Sequence, residues 1–124
     1  VKYLLDVSVL VACLWPRHVF HSRAVHWIKG KQVAVCPITE LGFIRVSTSA
    51  KFGAAMPDAR AALQNWLQQT QPDFLPCDLR ALDGPPAPSS AKTTDWYLAN
   101  LAEKHGMKWA TLDAHANHPA AELI

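Results

Sequence analysis

At 124 residues the chain has room for one domain, 1–124, and a 50% apolar composition supplies the material for a buried core. Twelve Lys and Arg against ten Asp and Glu leave a net charge of +2, a balance that neither demands a nucleic-acid partner nor excludes one. The widely spaced Cys13, Cys36 and Cys77 form no CxxC pair, which argues against a secreted disulfide scaffold, and no apolar run approaches the ~18–20 residues of a membrane span, so a soluble cytoplasmic protein with no membrane partner is expected.

Lys2–Leu5 reads as a buried strand, and Ser8 to Trp15 continue apolar as a short helix until Pro16 stops them. From His18, the positions Phe20, Ala24, Trp27 and Ile28 follow the spacing of an amphipathic helix that Gly30 closes. Val33 to Cys36 is a second strand. Pro37 suits a helix's first turn, and the segment to about Thr48 keeps Leu41 and Ile44 on one face. Pro57-Asp58 open another helix, with Ala59, Leu63, Trp66 and Leu67 in register, which Pro72 ends. The tract from Asp83 to Ser90 carries three prolines and is a loop, since proline donates no hydrogen bond and restricts its predecessor. Thr93 or Thr94 then caps a helix with Leu98, Leu101 and Ala102 inward and Gly106 at its end, followed by a strand at Lys108–Leu112. The order β-α-α-β-α-α-(β)-α-β, without internal repeats, implies an α/β sandwich around a mainly parallel sheet.

Four acids share a place in that order. Asp6, alone inside the apolar run YLLDVSVLV, follows the first strand; Glu40 lies in the first turn of the helix after VAVCP; Asp95 lies in the first turn of the last helix; Asp113 follows the strand KWATL. In a parallel sheet, strand C-termini and the N-termini of the following helices meet at one edge, where ligands bind. Any one of these acids has an ordinary explanation as a loop residue or as a complement to a helix dipole. Four at one edge repel one another unless a cation joins them, and an all-oxygen set without Cys or His at ligand spacing suits Mg²⁺ or Mn²⁺.

The blocks KYLLDVSVLVA, VCPITELGFIRVST and TTDWYLANLAEKHGMKWATLDA, in this order over nearly the whole chain, resemble the PIN-domain ribonucleases, specifically the VapC-type toxins of type II toxin–antitoxin pairs. The resemblance implies a three-layer α/β/α sandwich and a Mg²⁺- or Mn²⁺-dependent endoribonuclease acting on single-stranded RNA, often tRNA or rRNA. It implies metal-binding and catalytic acids at Asp6, Glu40, Asp95 and, at the more variable fourth position, Asp113. A homodimer and a cognate antitoxin whose tail enters the active-site groove are also implied. The chain departs from the pattern at Ser8, where Asn is frequent, and after Asp113, where Ala114-His115 replace a further acidic or aromatic residue. Ser8 can still orient Asp6 through its hydroxyl. Thr39 is placed either to hold a carboxylate or water or to cap the helix start; Arg45, at the position of a recurring family arginine, either binds RNA phosphate or sits in a salt bridge or on a solvated face.

His18 and His21, like His115 and His118, are three apart but lack HExxH context, and read as surface or packing residues; His115, two residues past Asp113, also stands where it can touch substrate. Trp27 and Trp66 fall on apolar helix faces, whereas Trp96 lies outside the Leu98/Leu101 stripe and is a candidate for base stacking. A haloacid-dehalogenase-type phosphatase would need D-x-D, and Ser8 occupies the second acidic position. The other alternative is a degenerate PIN fold kept as an RNA-binding or protein-docking module.

Overall fold

The computed structural model describes residues Val1–Ile124. Its elements are β1 (Lys2–Leu5), α1 (Val7–Leu14), α2 (His21–Ile28), β2 (Gln32–Val35), α3 (Pro37–Ser47), α4 (Met56–Thr70), β3 (Asp73–Phe74), α5 (Thr93–Lys104), β4 (Lys108–Thr111) and β5 (Ala121–Leu123). The strands form one sheet in the order β3-β2-β1-β4-β5, every pairing parallel. The expected mainly parallel sheet is thus wholly parallel. It also gains β5, which sequence reading left unassigned: three residues behind Pro119 carry too little alternation to register as a strand, and pairing with β4 is what holds them extended.

Successive strand residues face opposite sides, and both sides here are apolar, as a parallel sheet covered on two faces requires. Leu5, Val33, Val35 and Ala110 join Val9 and Leu10 of α1, Ala24 of α2, Phe43 of α3 and Leu63 of α4 in one cluster. Leu4, Ala34 and Trp109 join Leu98, Leu101 and Ala102 of α5 in the other. Four helices therefore cover one face and α5 the other, giving the three-layer α/β/α arrangement.

Local chemistry sets the ends of these elements. Asp6 is the N-cap of α1, its carboxylate accepting from the Val7 N–H at 2.7 Å. Pro37 occupies the first turn of α3. Gly106, at φ 68°, turns the chain out of α5 and toward β4. The expected Thr93 or Thr94 cap is not made: a 3₁₀ turn over Ser90–Lys92 runs directly into α5, placing Lys92 at the cap position without a side-chain cap bond. In mid-α3, a Cβ on Gly42 would collide with the Val7 side chain, so glycine there lets α3 lie close against α1.

Trp109 is fully buried, and its indole N–H is a buried side-chain donor without a partner. An unsatisfied buried donor costs about 1–3 kcal/mol. Trp109→Phe removes that donor while leaving a small cavity, so the two effects oppose, and chemical denaturation should show a stability change of less than about 1.5 kcal/mol. A loss well beyond that would mean the ring's volume outweighs its orphaned N–H.

The chain runs outward from β1 through β2 to β3, then returns to place β4 on the opposite side of β1. The strand order reverses between β1 and β4, and the crevice past their C-terminal ends is where such sheets bind ligands.

Candidate active site

Asp6 and Asp113 lie just past the two strands that flank this reversal. Asp6 is 5% exposed; the first residue beyond β1, it extends the ladder by donating its N–H to the Ala110 carbonyl at 2.9 Å. Its carboxylate also accepts from Thr111 Oγ1 at 2.8 Å and Ser8 Oγ at 3.2 Å. Burial pushes this carboxyl up to about 6; the hydroxyl and N–H donors pull the other way, and the neighbouring Asp95 charge adds to the rise. Ser8 thus orients Asp6 as expected. Thr111 went unrecognised in the sequence, although it is fully buried and also accepts from the Asp113 N–H at 3.1 Å, tying the two acids into one unit.

Asp95, in the first turn of α5, and Asp113 line the same cavity as Asp6, a space of about 490 Å³. Burial raises the Asp95 carboxyl, against the pull of Lys92. Lys92 is the second residue that sequence reasoning missed. Its Nζ meets Asp113 Oδ2 at 2.5 Å, and this ion pair holds the Asp113 carboxyl below the usual carboxylate range. The Lys92 ammonium is raised chiefly by Asp113, with Asp95 and Asp6 adding to the field. A cation at this edge is what the acid cluster calls for, and the protein supplies one of its own. No three His, Cys, Asp or Glu side chains converge as a ready-made metal cage.

The remaining expected residues fall as follows. Glu40, in the first turn of α3, is half-buried, with its carboxyl raised by burial, and does not line the cavity of the three aspartates; it lines a separate depression of about 830 Å³ between α3 and α4, together with Leu41, Ile44 and Arg60. Thr39 is fully buried and donates to the Leu5 carbonyl at 2.9 Å, so it neither holds a carboxylate nor caps α3; it anchors the end of β1 one residue before Asp6. Arg45 is exposed in the last turn of α3 and forms no salt bridge. His115 is exposed, and its backbone N–H donates to Asp113 Oδ1 at 2.9 Å, so this residue fixes Asp113 through the main chain.

The loop that carries Asp113 is pinned by His118. Its Nδ1 accepts from the Ala120 N–H at 3.0 Å, and its Nε2 donates to Asn100 Oδ1 at 2.8 Å, a pairing that only the neutral Nε2–H tautomer satisfies. Asn100 in turn donates to the Pro85 carbonyl, and Trp96 meets the imidazole edge-on at 5.6 Å, which makes Trp96 a packing residue. Burial holds the His118 pKa below its ordinary 6.5. The stability it contributes is complete above 6.5 and is lost as pH falls through the lower folded value. An NMR titration of the imidazole should accordingly show a midpoint below 6.5; a midpoint above it would contradict the Ala120 hydrogen bond.

Compared with known proteins, residues 3–122 match the model of the PIN domain family. The chain is 35% identical over 119 residues to ribonuclease VapC38 of Mycobacterium tuberculosis, covering 90% of this chain and 84% of that protein. It is 31% identical over 133 residues to ribonuclease VapC39 of the same species, covering 98% and 96%. A chain in the crystal structure of VapBC2 from Rickettsia felis bound to a DNA fragment from their promoter superposes with a TM-score of 0.65 at 13% identity, over 100% of this chain and 98% of that one.

Proposed function

Because the chain belongs to the PIN-domain family, among its VapC-type ribonucleases, we propose that it is a divalent-metal-dependent endoribonuclease that hydrolyses RNA phosphodiester bonds as the toxin of a toxin–antitoxin pair. The observation that supports this reading is that Asp6, Asp95 and Asp113 all line one cavity at the β1/β4 reversal, with the Lys92 ammonium paired to Asp113. An all-carboxylate donor set fits Mg²⁺ or Mn²⁺ and not a soft metal. Asp6, Asp95 and Asp113 would hold the ion. Glu40 is placed in the set on the family resemblance alone, since it lines the depression between α3 and α4 and not this cavity.

When bound, the metal supplies Lewis acidity toward phosphoryl oxygen and lowers the pKa of water. The protein's own groups do the rest. Thr111 and Ser8 fix the Asp6 carboxylate in orientation, and their hydrogen bonds favour its ionised form against the cost of burial. Asp95 makes no hydrogen bond within the protein, so its oxygens are free for the incoming ion or a proton. With Asp113 engaged as a ligand, Lys92 would be free to pair with a phosphate oxygen of the RNA. The substrate class is single-stranded segments of RNA, of the tRNA or rRNA class, the setting the cytoplasm, and the partners a second copy of the chain and a cognate antitoxin protein.

The test is cleavage of a labelled single-stranded RNA by the purified chain. Cleavage with Mg²⁺ or Mn²⁺ that stops with EDTA is expected. No cleavage with either ion, and no heat on titration with Mn²⁺, would leave a docking module as the better account.

A further inference from the structure

Part of the lining of the acid cavity is not carboxylate. His18 and Phe20, in the connection between α1 and α2, line it together with Val7, Val46 and Leu112. Phe20 is 39% exposed, and its ring lies 6.0 Å from the His18 ring at 42°. The Phe20 N–H donates to His18 Nδ1 at 3.0 Å, so the neutral imidazole carries its proton on Nε2, which has no partner in the protein. Burial and the nearby His21 lower the His18 pKa, in keeping with a neutral ring. The Arg23 guanidinium stands 5.6 Å from the centre of the Phe20 ring and forms no salt bridge.

A half-exposed phenyl group and a free N–H donor in the lining of a carboxylate cavity, with an unpaired guanidinium over the phenyl ring, do not suit a free metal ion or an inorganic phosphate. They suit a ligand with a flat π-face, an acceptor-bearing edge and a negative charge one bond system away. A nucleotide of a single strand has all three, and stacking on an aromatic side chain is the usual way such bases are held. We propose that this part of the cavity lining is a nucleobase subsite, in which the base flanking the scissile phosphate stacks on Phe20, presents an acceptor to His18 Nε2–H, and has its backbone phosphate met by Arg23. The assignment rests on the nuclease reading above and names the part of the substrate that reading leaves unplaced. In this assignment Phe20 and His18 bind substrate and take no part in bond cleavage.

The experiment uses the full chain and a single-stranded RNA with 2-aminopurine at the base beside the cleaved bond, alongside the same RNA made abasic at that position. With EDTA present to block cleavage, the parent protein should quench 2-aminopurine fluorescence on binding, and Phe20→Ala should abolish the quench. With Mg²⁺, Phe20→Ala and Phe20→Leu should raise KM by about ten-fold while kcat changes by less than about two-fold, the size expected for one lost base–aromatic stack. Phe20→Trp should restore the parental KM. The abasic RNA should lose affinity for the parent protein equally and show no further loss with Phe20→Leu, a check that needs no destabilising substitution. If the parent cleaves RNA but shows neither the quench nor a penalty for the abasic substrate, the subsite is overturned and the nuclease reading stands. If the parent neither binds nor cleaves RNA, both fall. A Phe20→Leu protein with unchanged RNA kinetics but weakened binding of a protein partner would overturn the subsite in favour of a protein-docking role.

Discussion

Asp6→Asn is expected to lower RNA cleavage by about 10²–10³-fold, the scale of losing one preorganised charged group at a reaction centre, and yet to give a protein that melts higher than the parent at pH 7.5 without divalent cation. The second effect follows from burial. A carboxyl raised from 3.8 to about 6 in the folded chain holds its proton more tightly there than in the unfolded chain. Its contribution to stability is therefore complete below 3.8 and is lost as pH rises through about 6. A rise of that size corresponds to about 3 kcal/mol at neutral pH. Asparagine removes the charge but pairs less well with two hydroxyl donors, which lowers the net gain to about 1–2 kcal/mol. Mn²⁺ stabilises only a chain that binds it, so adding the ion should narrow or reverse the gap in melting temperature. Thermal unfolding from pH 4 to 8, with and without Mn²⁺, checks each part. A variant that cleaves at the parental rate would remove Asp6 from the chemistry. One that melts lower without metal would show that the bonds from Thr111 and Ser8 outweigh the burial of the charge.

Lys92→Met should bind Mn²⁺ about ten-fold more tightly than the parent. The ammonium neutralises Asp113 directly and sits in the field of Asp95 and Asp6, so a metal ion entering the cluster has to displace a charge already there. A unit charge at contact distance is worth several-fold to many-fold in affinity near a surface, and solvent screening at this half-exposed pair brings the expectation to about one order of magnitude. Lys92→Arg keeps the charge and should bind the ion as the parent does. Calorimetric titration of the three proteins at fixed ionic strength reads the difference. Weaker binding by Lys92→Met would mean that the lysine serves mainly to hold Asp113 in place.

These two residues mark the boundary between what could be read from the chain and what could not. Asp6 was conspicuous because a lone charge in YLLDVSVLV demands an explanation from burial energetics alone. Asp95 and Asp113 followed from position, since strand ends and helix starts of a parallel sheet share an edge, and both line its cavity. Lys92 gave no such signal: one lysine after a proline-rich loop is ordinary, and only the 3₁₀ turn leading into α5 carries its ammonium to the acids. Thr111 was silent for the same reason, being one threonine in a strand until its hydroxyl is seen to meet a carboxylate 105 positions away. Thr39 reads in the sequence either as a helix cap or as a holder of a carboxylate or water, whereas the packing of α3 against β1 turns its hydroxyl onto the Leu5 carbonyl.

The sequence by itself determined the succession of strands and helices, their two-sided apolar faces, and the sheet edge at which the acids are placed. These depend on periodicities of two and about 3.6 residues and on Pro, Gly and cap chemistry, all of which act over a few neighbouring residues. The tertiary structure alone decided which side chains come together: Lys92 on Asp113, Thr111 on Asp6, Glu40 in the depression beside α4, and Phe20 with His18 in the lining of the acidic cavity. Such contacts depend on how crossover connections bring distant segments together and on the close packing of α1 against α3, quantities that no local pattern encodes.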